Sequence, residues 1–197
     1  MDEHTLSVIR EQLAASADVM RQTAEACAAD IGRAARLIAD AFTAGGKLLL
    51  CGNGGSAADC QHMAAEFVSR LTLDFERPGL PAIALTTDTS ILTAYANDFD
   101  FDGVFARQIQ ALGRSSDAIV AISTSGASRN VVQAVTQARS AGIKVVTLTG
   151  TRGGLAALAD VAIQVPTGAT QHIQEAHLAI EHIICHLVER QLYRGVR

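Results

Sequence analysis

Apolar and small residues recur at three- and four-residue intervals through Leu6, Ile9, Leu13, Ala17 and Met20, and again through Ile31, Ala35, Ile38 and Phe42. That spacing keeps one face of a helix apolar, so residues 5–44 are predicted to be helical. Asp30 and Gly32 interrupt the stripe and predict a break between two helices. Ala44-Gly45-Gly46 predicts the stop, because glycine accepts the left-handed conformation in which helices end. Beyond it the period changes. Short apolar runs over 47–51, 82–86, 117–123, 143–149 and 161–165 predict strands. Helices are predicted over 57–70, 89–96, 102–112 and 128–140. A short helix is opened by Arg152-Gly153-Gly154, and a last one covers 170–193. The third and fourth strands are near-continuous apolar runs, as in parallel strands buried on both faces. Strand followed by helix, repeated without a linker, predicts an α/β fold of three layers, a parallel sheet between helices. The chain 1–197 reads as one domain, with a helical extension over 1–44 and an α/β core over 45–197.

Composition changes this picture in one respect. The chain is long enough to bury roughly 70% of its unfolded surface. Yet its 197 residues hold 35 alanines against eight aromatics. Alanine favours helix but buries little area, so the helices must pack closely, and association between copies of the chain would bury more. The net charge of -4 gives no electrostatic reason to expect nucleic acid or an anionic membrane as partner. No apolar run approaches a membrane span, and Met1-Asp2-Glu3-His4 does not begin a signal peptide, so the expected compartment is the cytoplasm. Cys27, Cys51, Cys60 and Cys185 are scattered and are expected to be reduced thiols.

Ligands of open α/β sheets bind beyond the carboxyl ends of the strands. Two of the loops predicted there are unusual. Cys51-Gly52-Asn53-Gly54-Gly55-Ser56 lets a ligand approach the backbone ahead of a helix N-terminus. Ser123-Thr124-Ser125-Gly126-Ala127-Ser128 offers four hydroxyls at a helix start, enough to surround a phosphate. Neither loop ends in Gly-Lys-Ser/Thr and neither is Gly-x-Gly-x-x-Gly, so a phosphorylated small molecule is indicated rather than a nucleotide. Ordinary turn and cap chemistry is the competing explanation. His62 and Glu66, four apart on the helix after the first loop, share a face and can grip one ion or one substrate, although such pairs are common on solvated surfaces. Asp59 lies one turn before His62. The last helix carries Gln171, His172, Gln174, Glu175, His177, Glu181, His182 and His186. Gln174 and His182 are two turns apart and about 80° around the axis. Glu181 aligns better with Gln174, so spacing does not choose the ligands. His172 and His186 are expected to be surface or interface residues.

These segments together carry a resemblance. Cys51-Gly-Asn-Gly-Gly-Ser56, His62-x-x-x-Glu66 through Arg70, Leu85-Thr-Thr-Asp-Thr-Ser90, Asn97-Asp98-Phe99, Ile122-Ser-Thr-Ser-Gly126 with Ser128, and Ile173-Gln-Glu-Ala-His177 with His182 occur in this order. The chain resembles the phosphoheptose isomerases (sedoheptulose 7-phosphate isomerases) of the sugar-isomerase (SIS) domain superfamily. The resemblance implies a SIS-type fold of five parallel strands and a homotetramer with active sites at subunit contacts. It implies one zinc ion per subunit, bound by His62, Glu66, Gln174 and His182. It implies that Ser123, Thr124, Ser125 and Ser128 hold the sugar phosphate. Asn53, Gly54, Gly55, Ser56, Asn97 and Asp98 would contact a phosphorylated seven-carbon sugar, with Glu66 and Gln174 reaching it too.

The implied reaction is aldose–ketose isomerisation through an enediolate, with Glu66 and His182 catalytic, early in the synthesis of nucleotide-activated heptose, whether for lipopolysaccharide, a surface-layer glycan or another heptose product. Relatives often carry arginine or lysine where this chain has His172, and a neighbouring acidic residue of some members is absent. That departure bears on contacts to the distal sugar hydroxyls. The competing function is a non-catalytic SIS-domain protein bound to the bacterial replication initiator. The presence of both Glu66 and His182 argues for the enzyme.

Overall fold

The computed structural model describes residues 2–73 and 75–193. Leu48–Gly52 (β1), Ala82–Ala84 (β2), Ala118–Ser123 (β3), Lys144–Thr149 (β4) and Val161–Gln164 (β5) form one parallel sheet in the order β2-β1-β3-β4-β5. The helices are Glu3–Thr43 (α1), Gly55–Val68 (α2), Thr89–Asp98 (α3), Val104–Leu112 (α4), Arg129–Ser140 (α5) and Thr170–Leu192 (α6), with a 3-10 turn at Leu155–Leu158. The element order matches the sequence expectation. The second strand is shorter than 82–86, and the helix expected after Arg152-Gly153-Gly154 is only that 3-10 turn.

Strand side chains alternate between two cores. Leu48, Leu50, Val120, Ile122, Val146 and Leu148 face α1, α2 and α6. Leu49, Cys51, Ile119, Ala121 and Val145 face α4, α5 and the 3-10 turn. This is the period-two consequence of a pleated strand buried on both sides. At the N-terminal edge, buried Asp117 joins the starts of β1 and β3. Its carboxylate accepts from the Lys47 and Arg114 amides at 3.0 and 2.8 Å and pairs with Lys47 Nζ at 2.6 Å.

The expected break in the first helix is absent. α1 runs unbroken, capped by Asp2, whose carboxylate accepts from the Thr5 amide at 2.8 Å. Asp30 pairs with Arg33 one turn on, and Gly32 lies on the solvent side. Cys27, Ile31, Ala34, Ala35 and Ile38 are buried against the sheet and α6. Gly in mid-helix costs only about 1 kcal/mol, less than burial of this stripe returns, so tertiary packing overrides the local signal. Ala34, Ala35 and Ala39 on α1 and Ala176 on α6 are fully or almost fully buried, the close helix packing that an alanine-rich chain requires.

Gly45 does have the positive φ, 75°, expected of a helix stop. Gly46 is required for a different reason, since a Cβ there would overlap the Ser116 carbonyl. Two substitutions therefore separate two roles of glycine. Gly32→Ala has open space and helical geometry, and is expected to stabilise the fold by about 0.5–1 kcal/mol. Gly46→Ala is expected to destabilise it by about 1–3 kcal/mol. Urea unfolding of the two variants against the parent checks both signs.

Candidate active site

The order β2-β1-β3-β4-β5 reverses direction between β1 and β3, and the crevice beyond such a switch point is where open α/β sheets bind ligands. Gly52 at the end of β1 pairs in register with Ile122 on β3, so the glycine loop and the hydroxyl loop leave the sheet side by side. Gly54 turns the first loop with φ 57° and caps α2. Gly52 has no room for a side chain, because a Cβ would fall 2.8 Å from the Ser56 carbonyl oxygen. Ser56 is buried, while Gly54 and Gly55 are exposed.

The second loop closes on itself. Ser123 Oγ lies 3.0 Å from Ser128 Oγ and 3.4 Å from Ser125 Oγ, and Ser125 Oγ accepts from the Ala127 amide at 3.3 Å. Gly126, with φ 60°, packs against the Arg152 carbonyl of the β4 loop. Three hydroxyls thus converge ahead of α5, where free amides and the helix dipole favour an anion. Thr124, half-buried, holds the loop from below, its carbonyl accepting from the Gly150 amide at 3.2 Å.

The helices supply the other half. His62 and Glu66 project from α2, and His182 from α6. His62 Nε2 is 2.7 Å from His182 Nε2 and 3.6 Å from Glu66 Oε1. All three ligand atoms lie within 4.8 Å of one another. Two imidazole nitrogens this close satisfy each other only if one carries a proton. A divalent cation shared with the carboxylate would satisfy all three. Glu66 Oε2 is buried without a hydrogen-bond partner among the described residues. Two imidazoles and a carboxylate are the donor set of a catalytic zinc site, so the residues fit a metal of that kind. Gln174, one turn into α6, lies against the glycine loop, where a Cβ on Gly55 would collide with its amide.

Beneath the cluster the helix interface holds titratable groups that burial shifts towards their neutral forms. Glu181 is fully buried, neither oxygen has a hydrogen-bond partner among the described residues, and burial, reinforced by Asp59, pushes its carboxyl up to about 9. Burial also raises Asp59, while His62 pulls it the other way. His177 is pushed down by burial to about 4, although its Nε2 approaches the Thr149 carbonyl at 3.4 Å. The spacing ambiguity in α6 is thereby resolved. Glu181 turns into the core, and His182, half-exposed, turns to the cluster. All four cysteines are free and buried, and burial raises the Cys51 thiol to about 12.

Comparison with known proteins decides the family. The SIS domain family model matches residues 12–150. A phosphoheptose isomerase of Roseiflexus sp. is 52% identical over 98% of this chain and 96% of its own length. The solved structure of a phosphoheptose isomerase from Neisseria gonorrhoeae is 41% identical, with TM-score 0.88 over 93% of this chain and 98% of that one. A Francisella tularensis phosphoheptose isomerase gives TM-score 0.90 at 36% identity, over 94% and 98%. The chain belongs to the phosphoheptose isomerase family.

Within that family assignment the expected residues separate into groups. His62, Glu66 and His182 meet, Gln174 reaches the glycine loop, and Ser123, Ser125 and Ser128 cluster. Asn97 and Asp98 sit exposed at the end of α3, and among the described residues their side chains hydrogen-bond only to each other, at 2.9 Å. His172 departs from its expectation as a surface or interface residue. It is 7% exposed and its Nδ1 lies 2.9 Å from Glu175 Oε2, which also accepts from Ser16 on α1 at 2.6 Å. Packing of α1 along α6 buries it. His186 is exposed, as expected.

Asn130 was not singled out by sequence. Its buried amide forms a reciprocal pair with Asn53, two hydrogen bonds of 2.8 Å that tie the glycine loop to the first turn of α5. The only sequence signal was an asparagine two positions after Ser128.

His177 gives a pH signature. Its folded pKa lies below its unfolded value of 6.5, so the unfolded chain binds the extra proton. The resulting stability is present above about pH 6.5 and is lost as pH falls towards 4. Melting curves at pH 7 and pH 5 are expected to show a larger acid loss for the parent than for His177→Gln.

Proposed function

We propose that this chain interconverts D-sedoheptulose 7-phosphate and D-glycero-D-manno-heptose 7-phosphate through an enediolate. The observation that carries this is that the two loops beyond β1 and β3 and the helices α2 and α6 bear both halves of such a site. Hydroxyls suited to a phosphate cluster in one loop, and the Asn130–Asn53 pair ties the start of α5 to the other. Gln174 of α6 meets that second loop at Gly55, and α2 and α6 bring together His62, Glu66 and His182. A sugar anchored by its terminal phosphate would present its first two carbons at a fixed distance, and the remote charge orients the reacting end. Ser123, Thr124, Ser125 and Ser128 hold the phosphate. Asn53, Gly54, Gly55, Ser56, Asn97 and Asp98 contact the chain of hydroxyls.

Isomerisation takes a proton from one carbon, returns it to its neighbour, and moves a second proton between the two oxygens. Glu66 acts as the base between carbons; its Oε2, which no donor among the described residues occupies, supports that role. His182, from the opposite helix, handles the oxygen-bound proton. Zinc held by His62, Glu66, Gln174 and His182 supplies Lewis acidity for the negative oxygens. Glu66 would thus be shared between holding the metal and taking the substrate proton.

The enzyme works as a cytoplasmic homotetramer with sites at subunit contacts, feeding heptose for lipopolysaccharide. Val8, Ile9 and Leu13 on the first turns of α1, and Ile183 and Leu187 beside His182, are exposed apolar residues that such contacts would cover. Among the described residues no helix is long and apolar enough to cross a membrane. A non-catalytic binding role is not favoured, because the relatives just compared are isomerases by name.

Incubation with sedoheptulose 7-phosphate is expected to yield the aldoheptose phosphate, with loss of turnover in chelator and an active species that sediments as a tetramer. Glu66→Gln is expected to lower kcat by about 10²–10⁴-fold. Near-normal turnover by Glu66→Gln would remove the base from this mechanism, and no turnover by the parent with zinc would remove the reaction.

A further inference from the structure

We propose that Arg77 and Glu189 form a buried clamp that fixes the separation of α2 and α6 at the metal cluster, which makes Arg77 a positioning residue for Glu66 and His182. The inference rests on reading His62, Glu66 and His182 as a metal site.

Arg77 lies in the loop between α2 and β2, yet its side chain is 0% exposed and that of Glu189 3%. Arg77 Nε donates to Glu189 Oε1 at 2.8 Å, and Nη2 lies 2.7 Å from the same oxygen. The remaining donors turn to the end of α2. Nη2 donates to the Glu66 carbonyl at 2.7 Å, and Nη1 donates to the carbonyls of Phe67 at 2.7 Å and Ser69 at 3.2 Å. Nη1 also reaches the Pro78 carbonyl at 3.1 Å.

The last carbonyls of a helix have no partner within it and carry its negative dipole end. α2 has no basic residue in its own last turn. Arg77, arriving from the following loop, supplies both the donors and the charge. One guanidinium therefore holds the backbone of Glu66 itself. Its other partner, Glu189, lies seven residues after His182, which is two turns along nearly the same face of α6.

Stability alone does not explain the pair. Buried ion pairs can often be exchanged for apolar residues of similar volume without loss. What such an exchange cannot reproduce is geometry. Guanidinium presents five donors in a rigid plane, so it can grip a carboxylate and four carbonyls at fixed angles, which an ammonium on a flexible stem cannot. Partners behind metal ligands typically govern affinity by 10–100-fold.

The experiment compares the full-length parent with Arg77→Met/Glu189→Leu and with Arg77→Lys. Zn²⁺ affinity is read by chelator competition, the visible spectrum is read on Co²⁺-loaded protein, and kcat and KM are measured with the heptose phosphate. The double variant is expected to fold, to bind Zn²⁺ about 10–100-fold more weakly, to shift the Co²⁺ bands, and to lose kcat more than KM. Arg77→Lys, which keeps the charge but not the fork, is expected to follow the double variant. Folded variants with parental Zn²⁺ affinity and Co²⁺ spectrum would overturn the clamp while leaving the metal site standing. A parent that takes up neither ion would overturn the metal site, and the clamp with it. If the double variant does not fold, Glu189→Gln carries the same readouts, with the same results for and against.

Discussion

The contact between His62 and His182, 2.7 Å between ring nitrogens that stand 120 positions apart in sequence, exists only because α6 lies against α2 on one face of the sheet. Much else in the molecule serves that packing. α1 runs unbroken along α6 and covers it with alanines, so that the helix carrying His182 is pressed onto the strands. Arg77 holds the end of α2 to α6. Below the ligands, Glu181 and His177 are neutral because they are buried there, which spares the interface two uncompensated charges.

The alanine-rich composition acquires a structural sense from this. A core with few aromatics buries less area per residue, and it compensates by letting helices approach closely. The same smallness recurs at the crevice. Gly52 accommodates the Ser56 backbone, Gly55 accommodates the Gln174 amide, and Gly126 accommodates the Arg152 carbonyl. A side chain at these positions would push apart the glycine loop and the start of α2, the glycine loop and α6, and the hydroxyl loop and the β4 loop.

The strands were legible because buried parallel strands leave near-continuous apolar runs, and the two candidate site loops because glycines and hydroxyls cluster where strands end. Three things were not legible. The break expected at Asp30 and Gly32 failed because burial of Ile31, Ala35 and Ile38 outweighs a local glycine penalty. His182 could not be told from Glu181, since a difference of one residue on a helix is settled by which side the core lies on. Asn130 and Arg77 were invisible because their partners, Asn53 and Glu189, are 77 and 112 positions away. A residue whose meaning is a long-range hydrogen bond leaves no periodic or local trace.

The central claim is that packing of α2 on α6 assembles one metal site from His62, Glu66 and His182. X-ray absorption on zinc-loaded protein tests it most directly, together with metal content of the His62→Ala/His182→Ala variant. One zinc per chain, with two imidazole nitrogens in its coordination shell and loss of the metal in the variant, is the expected result. Zinc retained by the folded double variant, or a shell without imidazole, would contradict it.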